Sequence, residues 1–159
     1  MSNAHDRRMK SLGLVAILIT AACSDRAAFE PTHPTARGHG GQPAASYDIR
    51  LNTDVDPHVR VNVWSRGVTR RDEATFVNLA MQIQNTGDRV VELEPDQLRL
   101  AAYAKSGARL PSPVLDRIEP ARSVMVPPSA AATIRLRFSM RARIVPDEIA
   151  TIRLRWGIG

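Results

Sequence analysis

Cysteine, aromatic residues and long apolar runs are all scarce in this sequence. The 159 residues include one cysteine, Cys23, and only 4% aromatic residues. One cysteine can form no internal disulfide and cannot supply the several thiolates of a cysteine-based zinc site. No stretch approaches the roughly 20 apolar residues that a membrane-spanning helix needs. These absences argue against a disulfide scaffold, a cysteine-rich zinc domain and a helical membrane protein.

The overall composition is that of a globular protein. Hydrophobic residues make up 43% and charged residues 24%, whereas disordered chains are poorer in apolar residues. The length predicts one domain with some additional sequence rather than two full domains. The formal net charge is +6.

The N-terminal segment has the three parts of a secretory signal. Arg7, Arg8 and Lys10 give it a positive start, and residues 11–22 carry no charge. The apolar run ends in small residues just before Cys23 and is too short to span a membrane. This pattern predicts that residues 1–22 are a signal peptide. Its removal would take away three basic residues and one acid, which lowers the formal charge from +6 to about +4.

The residues Thr20-Ala21-Ala22-Cys23 resemble the bacterial lipobox, although an aliphatic residue is usual where Thr20 stands. The resemblance implies that Cys23 is lipidated and becomes the first residue of a membrane-anchored protein. Ser24 rather than an aspartate follows the cysteine, which in such lipoproteins favours the periplasmic face of the outer membrane over the inner membrane. The alternative is ordinary signal cleavage, which leaves a soluble secreted protein. Both locations, anchored in the envelope or secreted, argue against nucleic acid as a partner.

Residues 23–46 lack apolar periodicity and contain three prolines and three glycines. This composition predicts a disordered tether between the lipid and a folded domain at residues 47–159. His33 and His39 lie in the tether without further ligand residues, so we expect no metal site there.

The rest of the chain alternates apolar and polar residues, which is typical of half-buried strands. The clearest strand is 75–84, and a polar turn, Asn85-Thr86-Gly87-Asp88, follows it with an expected positive φ at Gly87. The same pattern predicts strands at 46–52, 59–65, 89–93, 97–104, 133–140 and 150–158. About seven strands without a long amphipathic helix predict an all-β antiparallel β-sandwich. The residues expected to share its core are Leu79, Met81, Ile83, Leu136, Phe138, Leu154 and Trp156.

The strand pattern around the Asn85-Thr86-Gly87 turn resembles immunoglobulin-like domains of bacterial envelope lipoproteins. The likeness runs from Phe76 to Asp88, through Leu98-Arg99-Leu100, and from Val126 to Phe138. It implies a fold and supplies no catalytic residue. The expected folded domain has one histidine, His58, no cysteine and no phosphate-binding or nucleophile motif. We therefore expect no enzymatic activity and no cofactor.

Metal binding by the folded domain is also not expected. Asp54 and Asp56 would bind Ca²⁺ only if further oxygen ligands converged on them.

Arginines alternate with apolar residues along the last two predicted strands, which places them on the solvent face. They are Arg135, Arg137, Arg153 and Arg155. If the two strands are neighbours, these side chains form a lattice of like charges, which is destabilising unless something relieves it. One hypothesis is a face that binds anionic lipids, anionic glycans or an acidic protein, because guanidinium groups suit phosphate and carboxylate. The alternative is pairing within the fold, with Glu92, Glu94 or Glu119.

Two functions remain open at this point. The first is a non-catalytic, lipid-anchored binding or assembly module of the cell envelope. The second is a periplasmic sandwich protein that carries a small ligand or a metal.

Overall fold

The computed structural model describes residues 11–19, 29–31, 34–50, 58–120, 124–140 and 144–158. Within these ranges the protein is all-β, with twelve strands, two short 3-10 helices and no α-helix. The predicted antiparallel β-sandwich is confirmed. The strand number exceeds the expected seven mainly because several strands are only two or three residues long.

The strands are β1 (Ser11–Ile19), β2 (Phe29–Pro31), β3 (Ala36–Arg37), β4 (Pro43–Ile49), β5 (Val59–Arg71), β6 (Ala74–Asn85), β7 (Val91–Leu93), β8 (Arg99–Ala104), β9 (Val114–Glu119), β10 (Val124–Val126), β11 (Ala131–Met140) and β12 (Ile149–Ile158). The 3-10 helices are Pro95–Gln97 and Pro146–Glu148.

Two antiparallel sheets form the sandwich. The first sheet has the order β10-β7-β12-β1-β2, and β8 also pairs with β12. Because residues 151–155 pair with both β8 and β1, these two strands lie on opposite sides of β12. The second sheet has the order β3-β4-β5-β6-β11-β9. The centre of the second sheet is the long β5–β6 hairpin, which turns at Asp72-Glu73.

The structure differs from the predicted tether, because residues 36–37 and 43–46 belong to strands β3 and β4. The reason is an apolar contact that periodicity does not reveal. Trp64 points to the outer face of the second sheet, where Ala44 and Ala80 bury it. Gly38 crosses this ring so closely that a Cβ would lie 2.5 Å from Trp64 Cδ2. The folded domain therefore begins before residue 47.

A continuous apolar core lies between the two sheets. All seven residues predicted to share it belong to one buried cluster, and none is more than 1% exposed. Trp156 of the first sheet meets Tyr47 of the second edge to face, with ring centroids 5.4 Å apart. Burial beside this ring raises the pKa of the Tyr47 hydroxyl. The predicted core assignment is confirmed.

The turn after β6 is held by a buried asparagine. The Asn85 Nδ2 group donates to the carbonyl oxygens of Arg89 at 2.6 Å and Val126 at 2.9 Å. Gly87 donates its N–H to Asn85 Oδ1 at 3.0 Å but does not adopt the expected positive φ. A glycine is needed for a different reason, since a Cβ at Gly87 would lie 3.0 Å from His58 Cβ. Asn85 therefore ties the β6–β7 turn to β10.

Phe138→Ala tests the core assignment. Phe138 is fully buried, so the truncation is expected to lower the free energy of unfolding by about 3–5 kcal/mol. Val114→Ala on the neighbouring strand β9 is the control, because Val114 is 65% exposed. Denaturant melts measure both. A loss below about 1 kcal/mol for Phe138→Ala would contradict the packing described here.

Asn85→Ala tests the turn. The change leaves two carbonyl oxygens without their donor, and we expect it to lower the free energy of unfolding by about 1–3 kcal/mol. Asp88→Ala, at an exposed position of the same turn, should change stability by less than about 0.5 kcal/mol. Equal losses for the two variants would show that the Asn85 amide does not organise the turn.

Candidate functional site

The four predicted site arginines do not form one lattice. Arg135 and Arg137 lie on β11 in the second sheet, whereas Arg153 and Arg155 lie on β12 in the first. The two strands follow each other in sequence, but the chain passes from one sheet to the other between them. Because the outer faces of a sandwich point in opposite directions, the expected cluster of four like charges is wrong. Each pair must be considered on its own sheet.

The β11 arginines are paired within the fold. Arg137 Nε lies 2.6 Å from Asp116 Oδ2, and its guanidinium group lies 5.2 Å from the centroid of the Phe76 ring. Arg135 Nη1 lies 3.8 Å from Glu119 Oε2, and the two residues are direct cross-strand partners. The alternative expectation of pairing with Glu119 is therefore confirmed for Arg135. Strand β9, which lies between Pro113 and Pro120, supplies both acids.

A shallow cleft of about 120 Å³ opens on the same outer face, between β5, β6, β11 and β9. Its polar lining includes Arg66, Asn78, Arg117, Glu119, Arg135 and Arg137. We call it the β11 cleft. Arg117 Nε also bonds to Glu119, at 2.9 Å from Oε1, so one carboxylate serves two arginines. The cleft is basic, but its charge is partly balanced by Glu119 and the adjacent Asp116.

Arg66 was missed in the sequence because a β-bulge shifts the alternation of β5. The register slips between Ser65 and Gly67, and Gly67 adopts a φ of 95°. Before the bulge the odd-numbered residues such as Val63 face the core, and after it Val68 does. This slip is the reason that the predicted strand ended at Ser65, while β5 continues to Arg71. Two features of the sequence indicate the bulge: a glycine inside the strand pattern, in Ser65-Arg66-Gly67, and the break in the alternation.

The β12 arginines also have a third arginine across the sheet, as Arg137 has Arg117, but no described carboxylate pairs with them. Arg155 lies directly opposite Arg99 of β8, and Arg153 lies opposite Ala101. All three side chains are exposed. The Arg153 guanidinium group lies 5.0 Å from the centroid of the Tyr103 ring. We call Arg99, Arg153 and Arg155 the β8–β12 arginine face.

The β8–β12 arginine face has no internal counter-ion in the part of the chain that the structure describes. None of its three guanidinium groups forms an ion pair with a described carboxylate. Arg99 Nη1 instead donates to the Leu98 carbonyl oxygen at 2.9 Å. Like charges directly opposite each other in a sheet are destabilising. The repulsion between Arg99 and Arg155 is therefore not offset by a described carboxylate. Guanidinium groups in general bind phosphate and carboxylate through paired N–H donors.

Arg60 of the second sheet has an acidic partner on the neighbouring strand. Arg60 Nε bonds to Asp48 Oδ1 at 2.8 Å across β5 and β4. That hydrogen bond lowers the pKa of the Asp48 carboxyl below its usual value. Cross-strand acids thus accompany Arg60, Arg135 and Arg137 in the second sheet, in contrast to the β8–β12 arginine face.

The other residues weighed in the sequence form no site among the described residues. The His58 carbonyl oxygen accepts the N–H groups of Thr86 at 2.8 Å and Gly87 at 3.2 Å, which is a structural role. Cys23, Asp54 and Asp56 lie outside the described residues, as does His33. Across the described ranges there is no group of three or more metal-ligating side chains. No helix in those ranges is long and apolar enough to cross a membrane.

The chain matches no protein-family model, and no curated protein is significantly similar to it in sequence. The functional interpretation therefore rests on the geometry of the arginines.

Arg155→Gln tests the repulsion within the β8–β12 arginine face. Removing the charge opposite Arg99 should raise the free energy of unfolding by about 0.2–1 kcal/mol at low salt. The gain should shrink as salt screens the exposed charges. Arg137→Gln is the matched control, and it should leave stability unchanged or lower it by up to about 1 kcal/mol, since it breaks a surface ion pair. Denaturant melts at two salt concentrations distinguish the signs. A salt-sensitive loss of stability in Arg155→Gln would show that Arg155 is paired within the fold.

Proposed function

We propose that this protein is a non-catalytic binding or assembly module of the cell envelope that contacts an anionic partner through the β8–β12 arginine face. One observation carries the proposal: Arg155 lies opposite Arg99, with Arg153 beside them and no described carboxylate in ion-pair distance. An acidic protein segment, an anionic glycan or a lipid phosphate would relieve this repulsion on binding.

The choice of this face over the β11 cleft rests on charge balance. In the second sheet, Asp116 and Glu119 already pair with Arg137, Arg117 and Arg135. An external anion would have to displace these carboxylates. At the β8–β12 arginine face it would have no described carboxylate to displace, and the Tyr103 ring helps to hold Arg153 in place.

The membrane anchor in this proposal comes from the sequence. The charge pattern of residues 1–22 and the position of Cys23 support lipidation, and Ser24 after the cysteine favours an outer-membrane location facing the periplasm. Twelve residues separate Cys23 from Ala36 of β3, so even a fully extended chain would span only about 45 Å. The sandwich of a lipidated protein would therefore stay near the membrane surface, where phosphates and the acidic parts of envelope proteins are within reach.

The second candidate function, carriage of a small ligand, is favoured by the β11 cleft. Its four arginines could hold a small phosphate or carboxylate if Glu119 moved aside. This function would not require the β8–β12 arginine face.

Two triple variants separate the candidates. Arg99→Gln/Arg153→Gln/Arg155→Gln neutralises the β8–β12 arginine face, and Arg117→Gln/Arg135→Gln/Arg137→Gln makes the same change in charge at the β11 cleft. Cross-linking pull-downs from native membranes and sedimentation with phosphatidylglycerol vesicles measure binding. We expect the first variant to lose about tenfold or more in affinity together with its salt dependence, and the second to bind like the parent. Loss only in the second variant would favour ligand carriage, and no loss in either would contradict both.

Mass spectrometry tests the anchor. Protein extracted from membranes should begin at Cys23 and carry the mass of acyl chains on that residue. An unmodified Cys23 in the soluble fraction would contradict the lipid anchor while leaving the sandwich and its arginine face unaffected.

A further inference from the structure

Strand β12 is paired along both of its sides. β8 pairs with residues Ile149–Arg155 on one side. On the other side β1 pairs antiparallel with residues 151–158, from Ser11 opposite Ile158 to Leu18 opposite Thr151. β12 carries two of the three arginines of the β8–β12 arginine face. About half of its backbone pairing is therefore with β1, a segment near the N-terminus.

Signal cleavage would remove that segment. Residues 11–19 lie within the 1–22 signal, so the inference below rests on the proposed function. In the mature chain, the N–H and C=O groups of residues 151–158 that face β1 would have no strand partner. We expect β12 itself to stay in place, because β8 still pairs with it and Ile152, Leu154 and Trp156 belong to the core cluster between the sheets. The result is an ordered strand with an open edge, able to accept another strand.

The arginines define what chemistry suits this edge. In an antiparallel pair, directly opposite residues lie on the same face of the sheet with their Cβ atoms about 4.5–5.5 Å apart. A strand added in the register of β1 would place alternate residues opposite Arg153 and Arg155, at the positions that Ala16 and Leu14 occupy. Acidic side chains at those two positions would neutralise both arginines, with apolar residues between them facing the core.

Two registers in which a second copy of this chain could pair with this edge bring arginines together. Antiparallel pairing of two β12 strands about Leu154 would put Arg153 of one copy opposite Arg155 of the other. Shifting the centre to Arg153 would put two copies of that arginine opposite each other. Both arrangements add like charges to a face that already has Arg99 opposite Arg155, and like-charge pairs are unfavourable.

We propose that β12 of the mature protein is a docking edge for an extended segment of a partner protein. The segment pairs antiparallel with residues 151–158 and carries aspartate or glutamate opposite Arg153 and Arg155. The backbone hydrogen bonds bind the segment, and the two arginines select its sequence.

The test uses the mature lipoprotein in detergent and nine-residue peptides built on the sequence of residues 11–19. One peptide carries Leu14→Glu and Ala16→Glu, a second carries glutamine at both positions, and a third carries lysine. Fluorescence anisotropy measures affinity. Hydrogen exchange of the β12 amides measures strand addition, because alternate amides of an edge strand point away from its neighbour.

Without peptide, alternate amides in residues 151–158 should exchange fast, and the glutamate peptide should protect them. We expect it to bind about five- to tenfold more tightly than the glutamine peptide, as two cross-strand ion pairs predict. The Arg153→Gln/Arg155→Gln variant should bind the glutamate and glutamine peptides with equal affinity. Arg153→Glu/Arg155→Glu should prefer the lysine peptide.

Three results would overturn the proposal: equal affinity of the parent for all three peptides, binding without protection of β12, or β12 amides already protected in the mature chain alone. The last would mean that another segment of the same chain fills the edge. If the anionic vesicles or the native partner still bind through the β8–β12 arginine face, only the docking edge fails. If that binding is also absent, the proposed function fails as well.

Discussion

Burial of the core-facing side chains of β12 is the constraint that determines where its exposed arginines lie. Ile152, Leu154 and Trp156 are fully buried between the sheets. Because side chains alternate along a strand, this burial forces Arg153 and Arg155 to the outer face, whatever the cost of their charges. The pairing of β12 with β8 then sets Arg99 opposite Arg155. The core therefore positions the like charges, and a change of register would disperse them.

The parts of the fold that follow from local alternation were predictable. β6, β11 and β12 alternate regularly over residues 75–84, 133–140 and 152–156, and their inner residues were assigned correctly to one core. Where the alternation breaks, prediction failed. The bulge at Ser65–Gly67 concealed the second half of β5, and the prolines near β9 concealed a short strand at the sheet margin. The pairing of β3 and β4 depends on the distant Trp64, which no local pattern indicates.

The candidate site shows the same limit. Exposure of each arginine follows from its place in a strand, but the neighbours of that arginine depend on strand order. Successive strands were expected to pair, whereas β11 and β12 belong to different sheets. Arg99 belongs to the site because β8 pairs with β12, a pairing that the sequence pattern does not indicate. The acids of β9 neutralise the β11 arginines for the same reason, since β9 pairs with β11.

The central claim is that an anionic partner contacts the outer face of β8 and β12, and site-specific photo-cross-linking in native membranes tests it most directly. A photoreactive residue at Ala101, opposite Arg153, should capture an acidic protein, an anionic glycan or an anionic lipid. The same residue at Thr133, exposed on the second sheet, should capture none of them. Equal capture at both positions, or capture only at Thr133, would contradict the account.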